Sequence, residues 1–214
     1  MSKILHVDAR DPEPHVIAEA VEALKAGQAV AYPTETLYGL AVDVTSDKAV
    51  KHLYDLKRRD YGLPVAILVA DMKMLQDYVT NIPEPARGMV KQFWPGALTI
   101  LFTAGDKISR SLMTNTGKIG IRISSHPVAT ALVRAFGKPI TTTSANLSGY
   151  PPSLQVKHVK KYFSDRIDCI LDGGECRPSL GSTVVDVSED TMAIIREGAI
   201  QADCVIRAFQ GKPA

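Results

Sequence analysis

Ala29-Val30-Ala31-Tyr32-Pro33-Thr34-Glu35-Thr36-Leu37-Tyr38-Gly39-Leu40-Ala41-Val42-Asp43-Val44 sets how the rest of the chain is read. Two short apolar runs, Ala29 to Tyr32 and Leu40 to Val44, flank a polar loop that opens at Pro33. Both runs have strand length and lack a helical period. Proline at the end of the first removes a backbone donor and stops it. Upstream, Pro14 to Ala26 places Val16, Ile17, Ala20, Val21 and Leu24 on one helical face and halts at Gly27. Downstream, Ser46 or Asp47 can cap a helix with Val50, Leu53 and Tyr54 at i, i+3, i+4 spacing.

The alternation continues. Val65 to Val69 is an unbroken apolar strand, and Met72 to Val79 and Pro85 to Phe93 read as helices. Trp94-Pro95-Gly96 breaks the pattern before strands at Leu98–Phe102 and Ile119–Ile123. Pro127–Phe136 and Val156–Phe163 are expected helices; Ile140–Thr142, Cys169–Leu171, Val184–Val187 and Met192–Arg196 are expected strands. No linker divides residues 1–214, so one domain is expected. The fold class is α/β with mixed α+β character: a twisted sheet, parallel and antiparallel, flanked by helices. Tandem strands after position 168 supply the antiparallel part.

Composition bounds the function. The chain has 214 residues, with 25 Lys and Arg against 23 Asp and Glu, 45% apolar and 22% charged residues. These are globular proportions and exclude a disordered chain. A formal net charge of +2 argues against holding nucleic acid by bulk electrostatics, while a local basic patch survives such a balance. The start, Met1 to Asp8, is too short and polar for a signal-peptide core. The longest apolar stretch, Val65 to Ala70, falls far short of the roughly 20 residues that span a bilayer. Cys169, Cys176 and Cys204 show no C-x-x-C spacing. A cytoplasmic protein with reduced thiols and no membrane contact is expected.

Familiar site motifs are missing. Neither G-x-x-x-x-G-K-[ST] nor G-x-G-x-x-G after a strand occurs, so phosphate binding must use another arrangement. His6, His15, His52, His126 and His158 form no H-x-H or H-E-x-x-H pair, and no metal-ligand set is expected. There is no G-x-S-x-G. His126, before Pro127, reads as a helix cap rather than a base.

Four loops carry the signal, each with a plainer reading beside it. Pro33 to Leu40 offers hydroxyls, a carboxylate and Gly39, or is a simple link between strands. Lys57-Arg58-Arg59 either complements a helix dipole or forms a clamp. On a helix, positions i and i+2 diverge by roughly 200°, but an extended path past the helix end points Lys57 and Arg59 the same way. Two convergent cations would grip polyphosphate. Thr141 to Gly149 has six hydroxyl or amide residues in nine, more than a turn needs, at the carboxyl end of a strand. Gly181-Ser182-Thr183 is a strand-entry loop or a ligand loop. Arg122 and Arg196 each lie at the end of an apolar strand and need an anionic partner, from the protein or from a ligand.

Six strings, in order, resemble the YrdC family of threonylcarbamoyl-AMP synthases. They are Pro33 to Leu40, Lys57-x-Arg59, Phe93 to Thr99, Gly120 to Ile123, Thr143 to Gly149, and Gly181 to Asp186. The resemblance covers Ala29 to about Gly198. It implies a YrdC-like domain folded around a cationic concave cavity. It implies a nucleotidyltransferase that converts L-threonine, bicarbonate and ATP to threonylcarbamoyl-AMP and pyrophosphate, with Mg2+ carried on the ATP. The product would pass to the tRNA-modifying threonylcarbamoyl-transferase machinery. By resemblance, Lys57, Arg59, Ser144 and Asn146 form the catalytic tetrad on ATP, joined by Arg196. Thr36, Arg122, Thr142 and Ser182 surround the threonine, with Arg122 on its carboxylate. Asp60, Leu63, Leu68 and Lys118 depart from the usual family residues. Two alternatives stay open: a same-fold paralogue with another small-molecule substrate, and an RNA-binding module using the same cavity. Weak RNA binding is compatible with the synthase as well.

Overall fold

The computed structural model describes residues 2–187 and 191–213. The opening segment forms an antiparallel pair, β2 (Val30–Pro33) and β3 (Tyr38–Ala41), in the register Val30 opposite Ala41. The second strand starts earlier than its apolar run, because the intervening turn is tight: the Thr34 N–H donates to the Leu37 carbonyl at 3.1 Å. β1 (Lys3–His6), which the apolar pattern does not reveal, and β9 (Cys169–Asp172) add parallel strands beside β2. β8 (Thr143–Ser144) closes this sheet against β3, giving the order β1-β9-β2-β3-β8.

A second sheet holds the remaining strands: β4 (Ile67–Leu68), β5 (Leu98–Thr103), β6 (Lys118–Arg122), β7 (Ile140–Thr141), β10 (Thr183–Val187) and β11 (Met192–Arg196). Their order is β11-β10-β5-β6-β4-β7. The expected single mixed sheet is therefore two mixed sheets. The cause lies at Thr142. β7 pairs with β4 and β8 pairs with β3, and that residue alone separates them. The Thr142 N–H donates to the Ala66 carbonyl at 2.8 Å on one side, while the Thr141 N–H reaches the Val42 carbonyl at 3.2 Å on the other. The expected Val65–Val69 strand is the shorter β4, Ile67–Leu68, although the Val69 N–H still donates to the Arg122 carbonyl at 3.1 Å and the Ala66 carbonyl accepts from Thr142. The antiparallel pairing expected late in the chain is β10 with β11.

Period-two alternation splits the core. Ala29, Ala31, Tyr38 and Leu40 join one apolar cluster with Ile67, Ile100, Ile121 and Val185, so it reaches both sheets. Val30, Tyr32 and Ala41 face the opposite way, toward α1 (Pro14–Lys25) and α5 (Pro127–Phe136). β2 is buried along its whole length on both faces. α2 (Asp47–Lys57) buries Val50, Leu53 and Tyr54 in the first cluster. α3 (Met72–Tyr78), α4 (Glu84–Phe93) and α6 (Val156–Phe163) lie near their expected ranges, and α7 (Ala202–Phe209) follows β11. No helix is long and apolar enough to cross a membrane, among the described residues. Cys169 and Cys176 are buried free thiols, pushed up to about 11 by burial.

Helix starts follow the side-chain chemistry. Ser46, rather than Asp47, caps α2, its hydroxyl accepting from the Ala49 N–H at 3.3 Å. His126 caps α5 as expected, its Nδ1 accepting from the Val128 N–H at 3.2 Å. Burial keeps the pKa of that imidazole below its usual value, while nearby Glu35 pulls it the other way. Replacing Ser46 by Ala is expected to cost about 1 kcal/mol, read as a lower urea midpoint at unchanged slope. A loss below a few tenths of that figure would mean the cap contributes nothing.

Candidate functional site

The two sheets bracket a cavity of about 410 Å³ at the point where the chain changes sheet, lined by Thr142, Thr143 and Ser144. The turn at 34–37, the segment after α2, the ends of β6 and β11 and the loop at 181–182 complete its wall. Three arginines, Arg59, Arg122 and Arg196, line it, and no carboxylate does among the described residues. Its floor is small and apolar, with Ala66, Leu101, Gly120 and Val184. Gly120 keeps that floor low, since a Cβ there would meet Thr99 Cγ2 at 2.9 Å. At the mouth, Leu180 is 79% exposed and Tyr150 is 59% exposed.

The 34–37 turn is organised by its own hydroxyls. Thr34 Oγ1 donates to the Leu37 carbonyl at 2.7 Å and accepts from the Thr36 and Leu37 N–H groups, each at 3.2 Å. Its single proton is spent, so at the 3.0 Å contact Thr36 Oγ1 is the donor. Thr36 therefore keeps acceptor lone pairs for an N–H donor in the cavity.

Arg122, at the end of β6, is 4% exposed. Nη1 donates to Glu35 Oε1 at 2.9 Å and Nη2 approaches Thr142 Oγ1 at 3.4 Å. Its anionic protein partner is thus Glu35, whose second oxygen accepts from the Ser124 hydroxyl. Sequence spacing hides this pair, 87 residues apart. Arg196 donates from Nη2 to the Ser182 carbonyl at 2.7 Å and lies 3.3 Å from Ser182 Oγ, which also accepts from Thr99 at 2.9 Å. Burial, and then the charge of Arg122, hold the Arg196 pKa below its usual value. Gly198 lets the 181–182 loop close in, because a Cβ there would fall 2.5 Å from the Gly181 carbonyl oxygen.

Lys57 and Arg59 do not converge. Arg58 takes the left-handed conformation at φ 49° and ends α2. Arg59 then turns to the cavity, donating to the Leu63 and Pro64 carbonyls at 3.3 and 2.9 Å. Lys57 stays 2% exposed behind the wall, its Nζ donating to the Ser144 and Asn146 carbonyls at 2.5 and 2.8 Å. Burial, then the neighbouring Arg59, bring its pKa down to about 7. The extended path supposed for this segment fails because the helix ends by a left-handed cap. Asn146 donates to the Leu147 and Tyr150 carbonyls, and its Oδ1 is buried with no partner. Asn146 lines the cavity, but this oxygen is turned into the protein.

Of the expected site residues, all but Lys57 line this one cavity: Thr36, Arg59, Arg122, Thr142, Ser144, Asn146, Ser182 and Arg196. None of the four departures does. Asp60 and Leu63 are exposed, Leu68 is buried in the α1 and α5 cluster, and Lys118 pairs with Asp186 at 2.6 Å.

Comparison with known proteins follows the same lines. The family model Sua5/YciO/YrdC, described as telomere recombination, matches residues 22–198. A Bacillus subtilis protein named threonylcarbamoyl-AMP synthase is 37% identical over 195 residues, 91% of this chain and 56% of its own length. One of the same name from Vibrio campbellii is 31% identical over 182 residues, covering 84% of this chain and 97% of its own. The crystal structure of Pyrococcus abyssi Sua5 complexed with L-threonine superposes with a TM-score of 0.92 at 32% identity, over 99% of this chain and 62% of that one. The chain thus spans little more than half of its Bacillus relative.

Proposed function

This chain belongs to the Sua5/YciO/YrdC family, and from that premise we propose that it makes threonylcarbamoyl-AMP from L-threonine, bicarbonate and ATP, releasing pyrophosphate. The observation that carries the reading is one cavity lined by three arginines and a set of short hydroxyls. A pocket so lined suits two anionic substrates at once.

The chemistry needs no enzyme nucleophile. The threonine amine attacks bicarbonate and water leaves, giving a carbamate. A carbamate oxygen then attacks the α-phosphorus and pyrophosphate departs. The protein's tasks are to hold the partners in line and to offset the charge that builds on phosphorus. In this reading Arg122 takes the threonine carboxylate, and Thr36, through its free lone pairs, accepts from the amine. Thr142 and Ser182 flank the amino acid. Arg59 and Arg196 face the phosphates, and Ser144 and Asn146 hold the nucleotide. Lys57 acts on ATP from behind, by fixing the loop that carries Ser144 and Asn146.

Magnesium fits this site only as an ion delivered with ATP. No cluster of three His, Cys, Asp or Glu is present among the described residues, and the wall offers neutral oxygens alone. Mg2+ commonly keeps several waters and binds largely through substrate phosphates. The Ser144 hydroxyl would meet its waters, and the ion would neutralise phosphate charge. Transfer of the product to tRNA-modifying machinery and a cytoplasmic location belong to the same proposal.

The test is pyrophosphate release by the pure protein. Turnover is expected only when ATP, threonine and bicarbonate are all present, with serine a poorer substrate. Release that ignores bicarbonate or threonine would refute the synthase; a strong preference for another amino acid would point to the paralogue reading.

A further inference from the structure

Arg122 is the only cavity arginine with a carboxylate partner among the described residues, and that carboxylate is itself immobilised. Glu35 Oε1 accepts from Arg122 and Oε2 from the Ser124 hydroxyl. Ser124 is fixed in turn at the start of α5: its Oγ accepts from the His126 N–H at 3.1 Å, and its carbonyl accepts from the Thr130 hydroxyl at 3.0 Å. Next to it, the His126 side chain caps the same helix. A rigid line of bonds therefore runs from the first turn of α5 through Ser124 and Glu35 to one edge of the Arg122 guanidinium. Arginine presents its donors in a planar fork, so fixing one edge fixes the direction of the other. Among the described residues that other edge has the long 3.4 Å approach to Thr142, and Arg122 lines the cavity.

We infer that Glu35 is a positioning residue, which with Ser124 sets the Arg122 guanidinium so that its free edge receives the carboxylate of the amino-acid substrate. The inference rests on the proposed reading of this pocket as an amino-acid site. Both Glu35 oxygens are engaged and Glu35 is not on the cavity wall, so it holds no proton for the reaction. Its span is what matters. Asp keeps the charge but is one methylene short of joining Arg122 to Ser124. Gln keeps the length and an acceptor oxygen for Arg122, and its amide can donate to Ser124 Oγ in place of the lost bond.

Two substitutions separate reach from charge. Glu35→Asp is expected to raise the threonine KM at least tenfold with the ATP KM little moved. Glu35→Gln is expected to raise it about three- to tenfold with kcat falling less than threefold, the range of one or two weakened hydrogen bonds. A kcat loss of about 100-fold in Glu35→Gln at constant threonine KM would overturn the inference in favour of proton transfer by Glu35. Equal threonine KM values in all three proteins would overturn it as well.

A second measurement needs no substrate. In the unliganded protein the Arg122 Nη1–H groups, which face Glu35, are expected to give a sharp NMR signal, protected from solvent exchange. The signal should survive in Glu35→Gln and broaden in Glu35→Asp. An unchanged signal in Glu35→Asp refutes the positioning role. If the wild type fails to use threonine while the signal behaves as expected, the substrate reading falls and the positioning role stands.

Discussion

Lys57→Met is expected to lower turnover by at least 100-fold and to destabilise the fold by about 2–6 kcal/mol, although this side chain is buried and outside the cavity lining. Each of the two carbonyls it serves, on Ser144 and Asn146, is left without its buried donor, at about 1–3 kcal/mol apiece. The Lys57 carbonyl also accepts from the Ser148 N–H at 2.9 Å, so the end of α2 and the 144–148 loop are joined by three bonds. Met preserves the bulk and leaves that backbone bond, but removes the two donors that hold Ser144 and Asn146 at the cavity. Turnover within tenfold of the wild type would refute this role.

The same side chain makes the protein's response to pH specific. Burial, reinforced by Arg59, lowers its pKa from 10.5 to about 7, so the folded state disfavours the ammonium. Between pH 7 and 10.5 the unfolded chain holds a proton that the folded chain lacks, and stability from this group rises with pH across that window. Below pH 7 both states are protonated and the contribution is flat. Phosphate charge arriving in the cavity favours the ammonium and raises its pKa. ATP binding at pH 8 is therefore expected to take up protons, read from binding heats in buffers of different ionisation enthalpy, and Lys57→Met should abolish the uptake. Uptake that persists in the variant would assign it to another group.

Much of this was legible in the chain, and the exceptions have physical causes. The apolar faces of α1 and α5 and the caps at Ser46 and His126 are local features, readable from spacing. The two-sheet division is not, because β7 and β8 have two residues each, too few to show a period, and change partners at Thr142. The polar loops were legible as a group because they hold more hydroxyls than turns require. The expected convergence of Lys57 and Arg59 is not seen, since one left-handed residue, Arg58, lies between them and only Arg59 lines the cavity. Glu35 was visible as a carboxylate in a polar loop, but its partner comes from β6, a strand of the other sheet. The steric need for Gly198 and Gly120 is not readable from local sequence; it appears only when neighbouring backbone or side chains come within 3 Å of a built Cβ.

Arg122→Ala is expected to eliminate threonine binding and to cost about 3–5 kcal/mol of stability, the usual penalty for stripping one partner from a buried ion pair. Arg122 and Glu35 have side chains 5% and 18% exposed, so the carboxylate left behind has little water to turn to. The ion pair as a whole need not stabilise the fold, since both charges are desolvated to form it. Removing both should therefore hurt less than removing one. Glu35→Gln added to Arg122→Ala is expected to recover about half of the lost stability, a coupling within the range for residues in contact, while threonine binding stays absent. Denaturation at pH 7 reads the first quantity and titration calorimetry the second. If the double variant is no more stable than Arg122→Ala, the stranded charge is not the cause of the loss. If it binds threonine, the guanidinium is not what holds the substrate's carboxylate. The two outcomes separate what Arg122 does for the fold from what it does for the ligand.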